Sequence, residues 1–549
     1  MKGKAIVFLV GVALVAAACG GSGNGNARRA TPSTAAETPV NGGTLVIRTS
    51  GEPGCWDPFA PCGSGPLPIS ALTWPRAVVF MGGKITATPL LAAEPILERG
   101  PPQRLTYRIN PKAVWSDLTP ITSSDFLYTW EQAVGPNVRN RAGWEQIAGV
   151  DDSDPKTAVI TFKQPYAAWT NPFGALGIVL PKHLLDGKDR LAEMKDGVTW
   201  SGGPWKLDRW TKSQEVRFVP NPNYWGDKPH LDALVFKIIP DIGAAFAAYK
   251  SGQVSLLQAV PPDVTLAELK ALPDTAVDVI ASLAFNGLDL NTEKPPLDST
   301  AVRQALAYAT DRETLVTQAY GLLQPDIKPI QALMTPANGR WYIEPYARYH
   351  RDLARVDQLM RGAGWARAQD GIWAKGGQRA QIDLVGDSGN STVVLQEQIL
   401  QSQWKEAGFD ARINNVSNRL DLLRRGAYNV GFDSDAGPSD DPSRCARLCG
   451  RSIPTDANGL SGANLGRLAD PANDAAWDLV NSEVDEAKRL EALKAAYQIT
   501  ADLVPYLPIA PGPSLLVYNS ARLRGIVNDS GPNGPYVFTT NWFCHGGVC

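Results

Sequence analysis

Residues 201–241 read SGGPWKLDRWTKSQEVRFVPNPNYWGDKPHLDALVFKIIPD. Two runs of strand-forming side chains flank a polar turn, and a third run follows a corner built from Pro, Asn, Tyr and Trp. This pattern predicts strand, turn, strand, rigid corner and strand. The stretch contains no nucleophile–base pair, no metal cage and no phosphate-binding loop, so it indicates capture of a molecule rather than chemistry on it.

Strands and helices are predicted on both sides of this stretch. Residues 43–48 form a β-branched run suited to a buried strand, and residues 105–109 alternate apolar and polar side chains. A helix is expected to begin near Ser123. A second helix is predicted over 392–407, ended by Gly408 and followed by a strand over 409–413.

Another helix is predicted after Ser299, whose hydroxyl we expect to cap it together with those of its neighbours. Its apolar residues follow at helical spacing: Val302, Ala305, Leu306 and Ala309. Segments rich in strands therefore alternate with segments of mixed type, which is the composition that a two-lobed α/β protein needs.

Three separated groups of residues carry a family resemblance. They are the corner NPNYWG at 221–226, the turn WSDLTP at 115–120 and the word AVRQALAYATDR at 301–312. In this order they closely resemble the extracytoplasmic solute-binding proteins of family 5, which serve peptide/nickel-type ABC importers. One departure is Leu118, since family members usually have Gly at that position of the turn.

The resemblance implies an α/β, two-lobed periplasmic-binding-protein fold of class II, cluster C type, with an extra small domain inserted in the first lobe. Two chain crossings near Phe285 and Pro505 would then act as the hinge. The implied divisions are a signal peptide at 1–18, a lipid-anchored flexible tether at 19–42, lobe I at 43–70 plus 202–284 plus 506–549, inserted domain II at 71–201, and lobe III at 285–505.

The N-terminus predicts export and lipid anchoring. Lys2 and Lys4 precede an apolar run over residues 5–18, which is typical of a secretory signal and short for a membrane span. The small residues just before Cys19 resemble a bacterial lipobox, although Ala16 stands where Leu is usual. We therefore expect cleavage before Cys19 and a lipid on its sulfur. The alternative is an ordinary signal peptide with an incidental cysteine.

Composition excludes several classes of function. Lys and Arg total 53 against 55 Asp and Glu, a net charge of −2, which argues against a nucleic-acid partner. Residues 386–390, GDSGN, resemble a serine hydrolase motif but end in Asn rather than Gly. None of the four histidines stands in a metalloprotease motif. We expect no enzyme, no cofactor and no metal.

The remaining six cysteines form three local couples. Fifteen pairings are possible, and proximity in an exported chain favours the sequential one. A zinc site at the middle couple lacks nearby histidines. The expected disulfide cysteines are Cys55, Cys62, Cys445, Cys449, Cys544 and Cys549.

The resemblance also points to ligand-binding residues. Trp56 lies in a loop that usually faces the cleft, and Phe285 and Asn286 lie at the first crossing. Residues 428–442, YNVGFDSDAGPSDDP, correspond to the segment whose Asp pairs with the ligand ammonium in peptide binders, but that position is Pro438 here.

Nearby side chains of the same segment are the remaining candidates for holding the ligand. They are Asp433, Ser434 and Asp435. The alternatives are that these acids are solvated, or that they bind calcium, for which the following Gly-Pro is unsuitable.

The expected function is a monomeric, lipid-anchored substrate-binding component of an ABC importer on the outer face of the bacterial cell membrane. It would capture an oligopeptide or peptide-like solute between two lobes and deliver it to a membrane permease. Two alternatives remain open. One is a non-peptide solute, such as an oligosaccharide, a modified peptide or a metal chelate. The other is a sensor or cell-envelope regulator retired from transport.

Overall fold

The strands and helices follow the predicted order along the chain. The computed structural model describes residues 37–60, 68–81, 84–136, 138, 141, 143–175, 177–261, 263–388, 390–435, 441–531, 533–547 and 549. The signal sequence and Cys19 lie outside the described residues. A compact unit extends from Val40 to Cys549.

The strands are β1 (Thr44–Thr49), β2 (Val78–Met81), β3 (Lys84–Ala87), β4 (Ile96–Glu98), β5 (Arg104–Arg108), β6 (Ile147–Asp154), β7 (Thr157–Phe162), β8 (Trp205–Thr211), β9 (Glu215–Pro220), β10 (Ala233–Ile238), β11 (Leu256–Leu257), β12 (Thr275–Leu290), β13 (Ala366–Arg367), β14 (Trp373–Lys375), β15 (Gln378–Arg379), β16 (Gln381–Asp387), β17 (Asp410–Val416), β18 (Val430–Asp435), β19 (Tyr506–Asn519), β20 (Leu523–Arg524) and β21 (Phe543–Cys544).

The α-helices are α1 (Ile69–Leu72), α2 (Ser123–Val134), α3 (Lys182–Leu185), α4 (Arg190–Glu193), α5 (Ile242–Lys250), α6 (Leu266–Ala271), α7 (Thr300–Ala309), α8 (Arg312–Tyr320), α9 (Leu353–Gly362), α10 (Ser391–Glu406), α11 (Arg419–Arg424), α12 (Cys445–Leu448), α13 (Pro471–Ser482) and α14 (Glu486–Leu503).

One ten-stranded sheet organises the protein. Its strand order is β17-β16-β18-β12-β19-β11-β1-β10-β9-β8. The long strands β12 and β19, called the crossing strands below, pair antiparallel with each other from Thr275 opposite Asn519 to Asp289 opposite Tyr506. On one side β12 pairs with β18, and on the other β19 pairs with β11. The crossing strands therefore join the two halves of the sheet.

The stretch at 201–241 folds as its sequence predicts. β8 pairs with β9 and β9 with β10, all antiparallel, while β10 lies parallel to β1. The corner is fixed by buried polar contacts, since Asn221 donates from Nδ2 to the Gly203 carbonyl at 3.0 Å. Asn223 donates to the Ser116 carbonyl at 2.7 Å, which ties the corner to the WSDLTP turn.

A smaller sheet belongs to the segment between β1 and β8. Its order is β4-β5-β7-β6, and α2 packs against it. Leu118 of the preceding turn has φ of 73°, the left-handed conformation that favours Gly, and its side chain is 63% exposed. The turn thus keeps the shape that Gly supports elsewhere in the family, with an exposed Leu in its place.

Two large apolar cores lie on either side of the crossing strands. One unites β1, β5, β7, β9 and α2 through side chains such as Leu45, Tyr107 and Trp205. The other unites β18, α7, α10, α13 and α14 around Trp404 and Trp477. Separate cores on each side of two connecting strands are what a two-lobed protein requires.

The helix predictions are confirmed with one correction. α7 buries Val302, Ala305, Leu306 and Ala309, as the spacing predicts. Ser299 occupies the N-cap position of α7, but its side chain makes no capping hydrogen bond, so the expected capping contact is wrong. Gly408 has φ of +92° just after α10, the conformation expected of a helix-ending glycine.

The structure joins Cys445 to Cys449 and Cys544 to Cys549. Cys55 is also disulfide-bonded, and Cys62 lies outside the described residues. Among the helices of the described chain, none is long and apolar enough to cross a membrane.

The crossing strands approach each other most closely at Gly287. A Cβ added there would lie 2.5 Å from the Leu507 carbonyl oxygen and 2.5 Å from the Tyr506 ring. At Gly512, also on a crossing strand, an added Cβ would meet only the Ala284 carbonyl oxygen at an ordinary 3.5 Å. Only the first position therefore depends on the missing side chain.

Replacing Gly287 with Ala should lower the free energy of unfolding by roughly 1–3 kcal/mol, because a backbone carbonyl cannot move aside without breaking strand pairing. The matched change Gly512→Ala should alter it by less than about 0.5 kcal/mol. Urea denaturation of both variants measures the difference. Equal stabilities would show that the strands do not pack as closely as described.

Candidate functional site

A pocket of about 210 Å³ opens beside the point where the crossing strands change partners. The pairing of β12 with β19 is irregular between Ala281 and Phe285, and again at Asn286–Gly287. The pocket is lined by Ala284, Phe285 and Asn286 of β12, Tyr320 of α8, Asp387 of β16, Asn390, Thr392 and Val393 at the start of α10, Arg419 of α11, Phe432, Asp433 and Ser434 of β18, and Gly512 of β19.

Four of the predicted ligand-binding residues line this pocket: Phe285, Asn286, Asp433 and Ser434. They come together because β12 and β18 pair antiparallel, which sets Asn286 opposite Ser434 and Phe285 opposite Asp435. Ser434 is exposed, whereas the Phe285 ring is buried. Their role in binding a ligand stays a prediction.

Trp56 lies in a different environment. Its side chain is 1% exposed and packs 6.0 Å, between ring centroids, from both Trp210 and Phe218. It belongs to the core around β1 and β9 and is not among the residues that line this pocket. Its predicted ligand contact therefore finds no support in the pocket described above.

The polar wall of the pocket is held by specific hydrogen bonds. Asn286 donates from Nδ2 to the Tyr320 hydroxyl, and its Oδ1 accepts the Ala510 N–H at 3.3 Å. Asn390 caps α10, because its Oδ1 accepts the N–H groups of Thr392 and Val393 at 3.1 and 3.2 Å. Side chains from both crossing-strand neighbourhoods are thus fixed toward the same space.

Three carboxylates and three arginines form a compact charge network beneath the pocket. Its members are Asp289, Asp433, Asp435, Arg419, Arg444 and Arg447.

Arg447 lies at the centre of this network. Its Nη2 lies 3.0 Å from Asp289 Oδ2 and 2.9 Å from Asp433 Oδ2, and its Nη1 lies 3.5 Å from Asp435 Oδ2. Burial alone would lower the pKa of Arg447, but the three carboxylate charges raise it well above the usual value. Arg447 is therefore a permanent buried cation.

The other two arginines complete the charge balance. Arg444 Nη2 lies 2.5 Å from Asp435 Oδ2, and Arg419 Nη1 lies 3.3 Å from Asp433 Oδ1. The two candidate acids of the segment at 428–442 are thus neutralised by side chains of the protein itself. An ion pair at this position removes the need for a cationic ligand group.

A disulfide holds two of these arginines in place. Cys445 and Cys449 bracket α12, which carries Arg447 and directly follows Arg444. The guanidinium groups also lie over aromatic rings, Arg447 at 4.5 Å from Tyr506 and Arg444 at 5.4 Å from Phe285. The same two cysteines lie near Asp478, but bonded sulfurs are not available to a metal.

A separate acidic group lies behind the pocket wall. Glu397 of α10 is fully buried, and neither of its carboxylate oxygens has a hydrogen-bond partner among the described residues. Burial raises the pKa of Glu397 to about 7, and the charge of Asp387 adds to this rise while Asn415 opposes it.

Sequence reasoning missed several residues of the site. Tyr320, Asp387, Arg419, Arg444, Arg447 and Glu397 were not predicted. Only the arginines had a usable signal, since Arg444 and Arg447 surround the cysteine couple that the sequence singles out. The others reach the site through sheet topology, which side-chain spacing does not reveal.

The fold and the pocket define a two-lobed binding protein, and comparison with known proteins agrees. The family model for bacterial extracellular solute-binding proteins, family 5 Middle, matches residues 86–450. This match spans more than half of the chain, so the protein belongs to family 5 of the bacterial extracellular solute-binding proteins. It is a transport binding protein, not an enzyme, and its family acts outside the cytoplasm.

Curated relatives are similar over most of their length. Protein XP55 of Streptomyces lividans is 25% identical over 451 residues, which cover 78% of this chain and 78% of that protein. The oligopeptide-binding protein AppA of Bacillus subtilis is 24% identical over 441 residues, with the same coverage. The oligopeptide-binding protein OppA of Mycobacterium tuberculosis is 26% identical over 436 residues, 76% of this chain and 70% of that protein.

Solved structures share the fold. The periplasmic EDTA-binding protein EppA has a TM-score of 0.81 at 20% identity, with 92% of this chain and 97% of that chain covered. AppA from Bacillus subtilis, in complex with a nonapeptide, has a TM-score of 0.80 at 18% identity, covering 92% and 100%. These similarities confirm the predicted two-lobed periplasmic-binding-protein fold.

Breaking one half of the Asp435–Arg444 pair should destabilise the protein. Arg444→Gln should cost roughly 2–4 kcal/mol of unfolding free energy, because it leaves Asp435 short of a buried partner. The double change Asp435→Asn with Arg444→Gln should recover about half of that loss. A double-mutant cycle by chemical denaturation measures the coupling. Additive losses would contradict the pairing.

Glu397 should make stability depend on pH. Its pKa is raised on folding, so its favourable contribution is complete below about pH 4.5 and is lost as the pH rises through about 7. Glu397→Gln should therefore match the wild type near pH 5 and exceed it by roughly 1–2 kcal/mol at pH 8. Thermal unfolding across this range measures the effect; a gap that does not vary with pH would refute it.

Proposed function

We propose that the mature chain is the lipid-anchored substrate-binding component of an ABC importer. It captures an oligopeptide or peptide-like solute between its two lobes and delivers it to a membrane permease. The observation that carries this proposal is the position of the pocket, which lies where both crossing strands change partners between the halves of the sheet.

A pocket at this position couples binding to closure. A ligand there touches Ala284 and Gly512 of the crossing strands as well as β18 and α10, so movement of one lobe changes its contacts. Ligand affinity that exists only in the closed form then stabilises that form. A permease can distinguish the loaded protein from the empty one by this difference in shape.

Contacts far from the crossing strands support such a closed form. The Ala167 N–H donates to the Asn481 carbonyl at 2.8 Å, and Asn171 Nδ2 lies 3.5 Å from Asp441 Oδ2. Residues 167 and 171 belong to the predicted inserted domain II, while 441 and 481 belong to predicted lobe III. These polar contacts close the protein on the side opposite to the hinge.

A peptide-like solute suits the lining of the pocket. Asn286, Ser434 and Tyr320 offer hydrogen-bonding groups, and Phe285, Phe432 and Val393 add apolar surface. The relatives described as oligopeptide-binding proteins support the same class.

A non-peptide solute is the second candidate. The charge network favours it, because Asp433 and Asp435 already have arginine partners and do not require a ligand ammonium. Similar folds include a structure described as NikZ from Campylobacter jejuni in complex with Ni(L-His), with a TM-score of 0.79 at 21% identity, covering 91% of this chain and 99% of that chain.

Lipid anchoring is proposed from Cys19 and the apolar run before it. A strain lacking the protein should be complemented with the wild type, with Cys19→Ser, or with the control Ser22→Ala in the tether. The wild type and the control should incorporate a labelled fatty acid and remain in the membrane fraction, whereas Cys19→Ser should do neither. A labelled, membrane-bound Cys19→Ser protein would contradict the anchor.

The same strains separate transport from regulation. Uptake of an isotope-labelled peptide digest should depend on the wild-type protein if it serves an importer. Unchanged uptake together with an altered cell envelope would instead support a sensor or regulator. Such a result would overturn the importer assignment without affecting the description of the pocket.

A further inference from the structure

Two buried polar side chains behind the pocket have no partners. Gln396 and Glu397 are both fully buried on α10, and all four of their side-chain nitrogen and oxygen atoms lack a hydrogen bond among the described residues. Thr392 and Val393, which line the pocket, precede them by four residues and therefore share their helix face. The unpaired atoms thus lie one helical turn beyond the pocket wall.

Gly386 shows where the carboxylate points. A Cβ at Gly386 would overlap Glu397 Oε1 and would lie 3.0 Å from Val393 Cγ1. The carboxylate is therefore inserted between the last residues of β16 and the first turn of α10. Asp387 and Val393, the neighbours of that position, both line the pocket. Only the absence of a side chain at Gly386 leaves room for the carboxylate there.

Charge distinguishes this region from the network under β18. There, three arginines balance three aspartates. Around Glu397, by contrast, the neighbouring charge is that of another acid, Asp387, which raises the pKa of Glu397. A buried carboxylate without a donor costs free energy that an arriving cationic donor recovers.

We propose that Gln396 and Glu397, together with Asp387, form an inner subsite that binds a primary ammonium group of the captured solute. This inference rests on the proposed function and names the chemistry that the pocket selects. An ammonium group brings three N–H donors and one positive charge, which suit the Glu397 carboxylate, the Gln396 amide oxygen and the charge of Asp387.

The ammonium group can come from two sources. The N-terminus of a peptide carries one, and so does an amino sugar within an oligosaccharide. Both present the same donors to Glu397, so the residues define the ammonium group and the experiment identifies its source.

The subsite can be tested without knowing the solute. At pH 8, 0.2 M methylammonium chloride should raise the unfolding temperature of the wild type by about 1 °C more than tetramethylammonium chloride does, because only the former donates N–H groups. Glu397→Gln should abolish this difference. The control Glu406→Gln, at the other end of α10 where Glu406 pairs with Arg351 at 2.7 Å, should retain it.

Gly386→Ala should abolish the difference as well, since it displaces the carboxylate without removing it. Equal responses to the two salts in the wild type, or an undiminished response in Glu397→Gln, would overturn the proposal and leave only buried water at these atoms. Neither result depends on transport, so a failure here is distinguishable from a failure of the proposed function.

The source follows from two matched pairs of probes. Native mass spectrometry should compare binding of a peptide digest with the same digest after N-acetylation, and binding of chitosan oligomers with chitin oligomers. The proposal expects the free amine of one pair to bind at least tenfold better than its acetylated form, with the preference lost in Glu397→Gln. Tight binding of an acetylated form, with no preference for the amine, would contradict it.

Discussion

The antiparallel pairing of the crossing strands β12 and β19 is the constraint on which the rest of the structure depends. Backbone hydrogen bonding fixes their register, and that register brings Phe285, Asn286 and Pro511 together where the pairing becomes irregular. The two large cores lie on opposite sides of these strands. Any movement of one half relative to the other must therefore be absorbed at the irregular segment, beside the pocket.

Charge balance explains why the pocket floor is not simply acidic. Asp289, Asp433 and Asp435 would repel one another in a buried setting without Arg447 at their centre. The disulfide around α12 and the rings of Phe285 and Tyr506 keep the arginines in position. The protein thus supplies internally the cations that a ligand would otherwise have to bring to this segment, and Glu397 remains as the carboxylate without such a partner.

Much of the fold followed from local patterns, whereas the site followed only in part. The corner at Asn221, the helix after Ser299 and the end of α10 at Gly408 each have a local physical cause that spacing reveals. The pairing of Asp433 and Asp435 with arginines joins residues separated by loops, and the burial of Glu397 depends on the missing side chain at Gly386. Such long-range relations leave no periodic trace in a single sequence.

The central claim is that this pocket captures a solute, and native mass spectrometry tests it most directly. The mature chain from Gly20, purified from its host without refolding, should be compared with Ser434→Trp, in which an indole fills the pocket from an exposed strand position. The account predicts a discrete additional mass on the wild type that is absent from the variant. The same additional mass on both proteins would contradict it, because the solute would then bind elsewhere.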